Sequence, residues 1–142
     1  MFLRSAILPA LFVTLSACDM SPDSAYGFRL PEGDAEVGKA VFEEKQCATC
    51  HIIGAFPELR DNMTDPEMNV AIGGLQTRIA THGELVSAVI NPSHKIARGY
   101  KREPYVEDGQ SAMRTVNEQL TVAELIDLVA FLQDQYEEFP DY

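Results

Sequence analysis

The run Cys47-Ala48-Thr49-Cys50-His51 constrains this chain more than any other stretch of it. C-x-x-C-H is the attachment signature of a covalently bound c-type haem. The spacing has a chemical reason. The two vinyl groups of a porphyrin lie on adjacent edges, and two thiols three positions apart on a helical turn reach both as thioethers. His51, next to the second thiol, then falls under the iron as the proximal ligand. Two rival readings are weaker. A thioredoxin-like redox pair wants its C-x-x-C at the end of a strand in a βαβ unit, and no apolar strand precedes Cys47. A zinc knuckle needs a second pair of soft ligands, and the only other cysteine is Cys18.

The 142 residues have room for one domain. A hydrophobic fraction of 46% is ordinary for a globular protein, so a packed core needs no disulfides. With 22 acidic and 11 basic side chains, the formal net charge is −11. This argues against nucleic acid or anionic membrane surfaces as partners of the bulk surface, and favours a partner with a basic docking face.

Residues 1–17 read as a secretory signal. Arg4 supplies a positive start, and the apolar stretch from Ala6 to Leu15 is too short to span a bilayer. Export agrees with the haem motif, because bacteria attach haem to C-x-x-C-H outside the cytoplasmic membrane. Leu15-Ser16-Ala17-Cys18 resembles the lipobox of bacterial lipoproteins, in which the chain is cut before the cysteine and Cys18 becomes the acylated N-terminus. More than one lipid tail gives stable anchoring. Asp19 resembles the residue that retains such lipoproteins on the inner membrane. All three cysteines are then used, with none left for a disulfide. Residues 18–33 form the lipidated cysteine and a flexible tether with proline and glycine but no periodicity, with a mean reach of roughly 20 Å.

The remaining residues, 34–142, form the globular head. Asp34 is a good N-cap, and Val37, Ala40, Val41 and Phe42 recur at helical spacing, which predicts a helix running to Gln46 and delivering the haem motif at its end. With Gly38 and Phe42 ahead of Cys47-x-x-Cys50-His51, this segment resembles the N-terminal helix of class I cytochromes c. The resemblance extends over roughly residues 34–136. It implies a proline carbonyl just past the motif that accepts a hydrogen bond from the histidine's other ring nitrogen. Pro57 and Pro66 are both candidates, Pro57 the better placed.

Thr81-His82-Gly83-Glu84 has the form of a capping box opening a middle helix, which Asn91-Pro92 stops. His82 sits in that cap, facing solvent. Lys95, Arg98, Lys101 and Arg102 then concentrate positive charge in an otherwise acidic chain. Such a patch is a solvated loop, a neutraliser of haem propionates, or a meeting place for an acidic partner. Tyr100 and Tyr105 could donate hydrogen bonds to the propionates. Thr121-Val122-Ala123-Glu124 opens a final helix whose apolar side runs from Leu125 to Leu132.

The resemblance places the sixth iron ligand in the loop before that helix, which is where Met113 lies, although Arg114 follows it where the family usually has proline. His94 remains as an alternative sixth ligand. Met63 and Met68 read as packing or surface residues, and Phe131 falls where the family sets an aromatic against Gly38 and Phe42.

The implied fold is all-α, a small cytochrome c fold of three or four helices around one covalent haem, with the N- and C-terminal helices crossing. The haem supplies much of the core, so the apoprotein is expected to be poorly folded. The implied function is that of an electron carrier and not an enzyme: a lipid-anchored single-haem cytochrome on the periplasmic side of a bacterial membrane. It would exchange electrons with a membrane respiratory complex and a terminal acceptor. Two alternatives stay open: a fixed haem subunit of a larger oxidoreductase, and a gas-binding or peroxide-reducing haem protein.

Overall fold

A computed structural model describes residues 27–64, 67–76 and 81–138. The signal segment, Cys18, the first part of the tether and Pro66 lie outside the described residues.

Helix α1 spans Ala35–Glu44, and Asp34 caps it by accepting hydrogen bonds from the Glu36 and Val37 amides (2.9 and 3.2 Å). The expected continuation to Gln46 does not occur. Gln46 adopts the left-handed conformation (φ 57°), which turns the chain out of the helix and into a 3₁₀ turn over Cys47–Thr49. The attachment thiols therefore stand on this short turn and not on the end of α1. Strand β1, His51–Ile53, follows at once and pairs in parallel with β2, Val70–Ile72, placing His51 opposite Val70. Strand β3, Gly74–Gln76, waits for a partner from the far end of the chain.

Helix α2, His82–Ile90, opens on the expected capping box: Thr81 Oγ1 accepts from the Glu84 amide, and the Glu84 carboxylate accepts from the Thr81 amide. A β4–β5 hairpin (Val106–Glu107 and Gln110–Ser111) turns through Asp108 and Gly109, both at positive φ, the geometry of a two-residue hairpin loop. Helix α3, Val122–Gln133, opens on the second capping box at Thr121, and β6, Tyr136–Glu138, pairs in parallel with β3. Among the described residues no strand exceeds three residues, and the regular structure is mostly helical with short extended clips.

The core forms where α1 crosses α3. At Gly38 a Cβ would run into the Asp127 carbonyl and stand 2.8 Å from Phe131 Cβ, so only glycine permits this approach. Phe42 and Phe131 pack with ring centroids 5.6 Å apart, and Phe56 adds a third ring, again 5.6 Å from Phe131. Tilted aromatic contacts of this kind add to the stabilisation from buried area. Asp127 Oδ1 accepts the Asp34 amide (2.9 Å), so the N-cap of α1 is itself held by α3. Leu85, Val86 and Val89 bring α2 onto the same core. Among the described residues, no helix is long and apolar enough to cross a membrane.

Candidate haem-binding site

Beside the 3₁₀ turn lies a cavity of about 290 Å³ lined by Cys47, Cys50, His51 and Met113. The fold thus brings Met113 to the three side chains of the attachment motif, from which it is far removed in sequence. The remaining wall is largely apolar, with Val70, Ala88, Ile96, Ala112 and Val116 among its residues.

Both thiols are free, as thioether formation requires. Burial pushes the Cys47 thiol up, and the nearby Arg114 guanidinium partly offsets this. His51 is half-buried, but its Nδ1 is shut off from solvent and closes no hydrogen bond of ordinary geometry among the described residues. Burial holds the imidazole below the usual histidine range, with the adjacent Val70 backbone pulling weakly the other way. The ring is therefore neutral at pH 7, and with Nδ1 enclosed, Nε2 is the nitrogen left for the cavity. The Pro57 carbonyl does not serve the ring. Pro57 instead starts an exposed 3₁₀ turn, Pro57–Asn62, and the backbone closest in kind to the expected partner is that of Val70, supplied by the β1–β2 pairing.

His94 is exposed and its Nδ1 donates to the Asn91 carbonyl (2.7 Å), away from the cavity wall. His82 lies at the start of α2, exposed. Met68, expected at the surface or in packing, lines the cavity together with Val70, two residues on. No periodic signal marks Met68 in the sequence, because a parallel strand pairing places it. Met63 is half-buried in the segment after the Pro57 turn, outside the cavity lining.

At the rim, Tyr100 and Tyr105 meet edge to face with centroids 4.8 Å apart. Tyr100 Oη accepts the Ala71 amide (3.0 Å), which leaves its own proton free to donate. Tyr105 Oη donates to the Asn69 carbonyl (3.4 Å). Lys95 lines the cavity while its ammonium meets Glu84 (3.0 Å). Arg98, Lys101 and Arg102 are exposed, with no ion pair among the described residues.

The donor set fits a haem better than a bare metal. Among the described residues no three or more His, Cys, Asp and Glu side chains gather as a metal cage. A porphyrin supplies four equatorial nitrogens itself and asks the chain only for axial donors and covalent anchors. Two free thiols on a tight turn, a neutral imidazole beside them and a thioether in the wall of the same largely apolar cavity meet that need. Together with helices that cross at a glycine, these features define a covalent haem carrier of the small helical type.

Comparison with protein families gives the same answer. The cytochrome c family model matches residues 35–135, and the chain belongs to that family. The bound group is accordingly haem c, attached through the C-x-x-C-H motif at Cys47, Cys50 and His51. A search of solved structures returned no match.

Proposed function

We propose that this chain is a single-electron carrier anchored by a lipid on the periplasmic side of a bacterial membrane, most simply the inner one. One observation carries the redox half of the reading: Met113 lines the same cavity as Cys47, Cys50 and His51. The haem, when bound, supplies a one-electron iron couple. The chain supplies everything that fixes its behaviour. Cys47 and Cys50 hold the group by two bonds, so it cannot leave with the electron. His51, kept neutral by burial, offers its Nε2 lone pair. Met113 would offer a soft sulfur to the iron, which would favour the reduced state. Val116 and Ala112 add apolar surface to the wall of the same cavity. Tyr100, with its hydroxyl oxygen already engaged by Ala71, keeps its proton for a carboxylate at the rim.

The membrane half rests on the sequence alone, on the signal segment 1–17, the lipobox ending at Cys18 and the tether to residue 33. The tether lets the head move over the membrane surface between a respiratory complex and a terminal acceptor.

The test is the visible spectrum of the purified protein, oxidised and reduced, with and without carbon monoxide, beside Met113→Ala. A low-spin protein that ignores carbon monoxide and shows a sulfur-to-ferric charge-transfer band absent from the variant is the expected result. Carbon monoxide binding by the unaltered protein would replace the carrier reading with a gas-binding or peroxide-reducing one.

A further inference from the structure

The segment around Met113 has no proline to stiffen it, yet side chains pin it on both sides. Ahead of the methionine, Met113 N donates to Ser111 Oγ (3.2 Å), and Ser111 N donates to Ser93 Oγ (3.0 Å), in the turn after α2. Beyond it, Asn117 Nδ2 donates to the Ile90 carbonyl (2.9 Å) at the end of α2. These bonds hold the segment to α2, but none of them reaches the turn that carries the thiols.

Arg114 supplies that connection. Its Nη2 donates to the carbonyl of Lys45, which caps α1 two positions before Cys47. Lys45 is fixed in its turn, because its ammonium meets Glu124 (2.8 Å) and Glu44 (3.0 Å). Arg114 also lines the cavity, and its charge acts on the Cys47 thiol. A planar guanidinium held at a fixed carbonyl has little freedom, so the residue next to it in the chain has little freedom either.

We infer that Arg114 is a positioning residue: its bond to the Lys45 carbonyl fixes the Met113 thioether relative to the attachment turn. The inference rests on Met113 being the axial sulfur. A loop with this bond keeps the sulfur in one place, and a loop without it lets the sulfur leave the iron more often. An external ligand then competes more successfully.

The experiment uses the haem-loaded full chain as Arg114→Ala, Arg114→Lys and Met113→Ala. Three quantities are read: the intensity of the sulfur-to-ferric band, the carbon monoxide affinity of the reduced protein, and the unfolding midpoint by far-ultraviolet circular dichroism. Arg114→Ala is expected to weaken the band and raise carbon monoxide affinity at least tenfold, with an unfolding midpoint close to that of the unaltered protein. Arg114→Lys, which can still donate to the carbonyl, is expected to recover most of the band. If Arg114→Ala does not load haem, Arg114→Gln is read in the same way. An unchanged band and carbon monoxide affinity in the Arg114 variants would overturn the inference, as would a fall in the unfolding midpoint alone. If Met113→Ala keeps the band, the ligand reading itself fails, which separates that failure from a failure of the role given to Arg114.

Discussion

Lys45 Nζ stands 2.8 Å from Glu124 Oε1, so the residue that caps the first helix is paired with the third residue of the last. The same carboxylate accepts the Thr121 amide (2.7 Å) and hydroxyl (2.9 Å), closing the capping box of α3. One side chain thus joins both terminal helices beside the attachment turn. The Lys45 hydrogen bond first, then Thr121, bring the Glu124 carboxyl down from 4.5 to about 2.

A carboxyl whose pKa is depressed on folding stabilises the native state above its unfolded value and loses that contribution as pH falls through the folded value. The urea midpoints of the haem-loaded protein and of Glu124→Gln are therefore expected to differ by a constant amount above about pH 4.5 and to converge toward about pH 2. Parallel curves across that window would show that Glu124 is not linked to folding.

Gly38→Ala places a methyl group against the Asp127 carbonyl and Phe131 Cβ, both belonging to a packed helix that cannot yield locally. The helices must part, at a cost of about 1–3 kcal/mol as for other overpacked cores. Denaturant unfolding of the haem-loaded variant measures it, and a loss below about 0.5 kcal/mol would mean that the crossing is looser than described.

Arg98, Lys101 and Arg102 are cations without ion pairs among the described residues, beside Tyr100 on the cavity rim of a chain with net charge −11. Reversing Lys101 and Arg102 to glutamate is expected to slow electron exchange with an acidic redox partner and to flatten its dependence on salt. The visible spectrum should stay as it is. Stopped-flow rates over a range of ionic strength decide the matter, and unchanged rates would leave the patch as a solvated loop.

Cys18→Ser removes the thiol that the lipobox reading acylates. The variant is expected in the soluble periplasmic fraction with its haem spectrum intact, because the attachment cysteines lie elsewhere. Recovery in the membrane fraction would mean that something other than Cys18 holds the chain there.

What could be read from the chain divides along physical lines. Local rules sufficed for Thr81 and Thr121, whose capping boxes need only residues three positions apart. Gly38 and Phe131 were legible through the family resemblance, and the helix crossing follows it. Gln46 was not, because a glutamine in the left-handed region breaks the usual preference and only the turn into Cys47 demands it. The surroundings of His51 were hidden for a related reason. The family resemblance suggested Pro57 or Pro66; Pro57 starts a turn elsewhere, Pro66 lies outside the described residues, and the backbone acting on the ring is that of Val70, set beside it by a parallel strand pairing that leaves no mark in so short a segment. Met68 entered the cavity wall by the same route. Arg114 was visible as a departure from the family pattern, but its partner, 69 positions earlier, could be found only in three dimensions.

The pairing of Asp34 with Asp127 spans 93 positions, and the packing of Phe42 against Phe131 spans nearly as many. The thiol-bearing segment is made first and meets nothing to close against until the final helix has followed it. Its cysteines wait in an open chain until then. Slow closure is thus built into the order of the sequence, since contacts this distant form late. In such a protein the last helix is the latch, and the attachment turn gains its final packing only when that helix arrives.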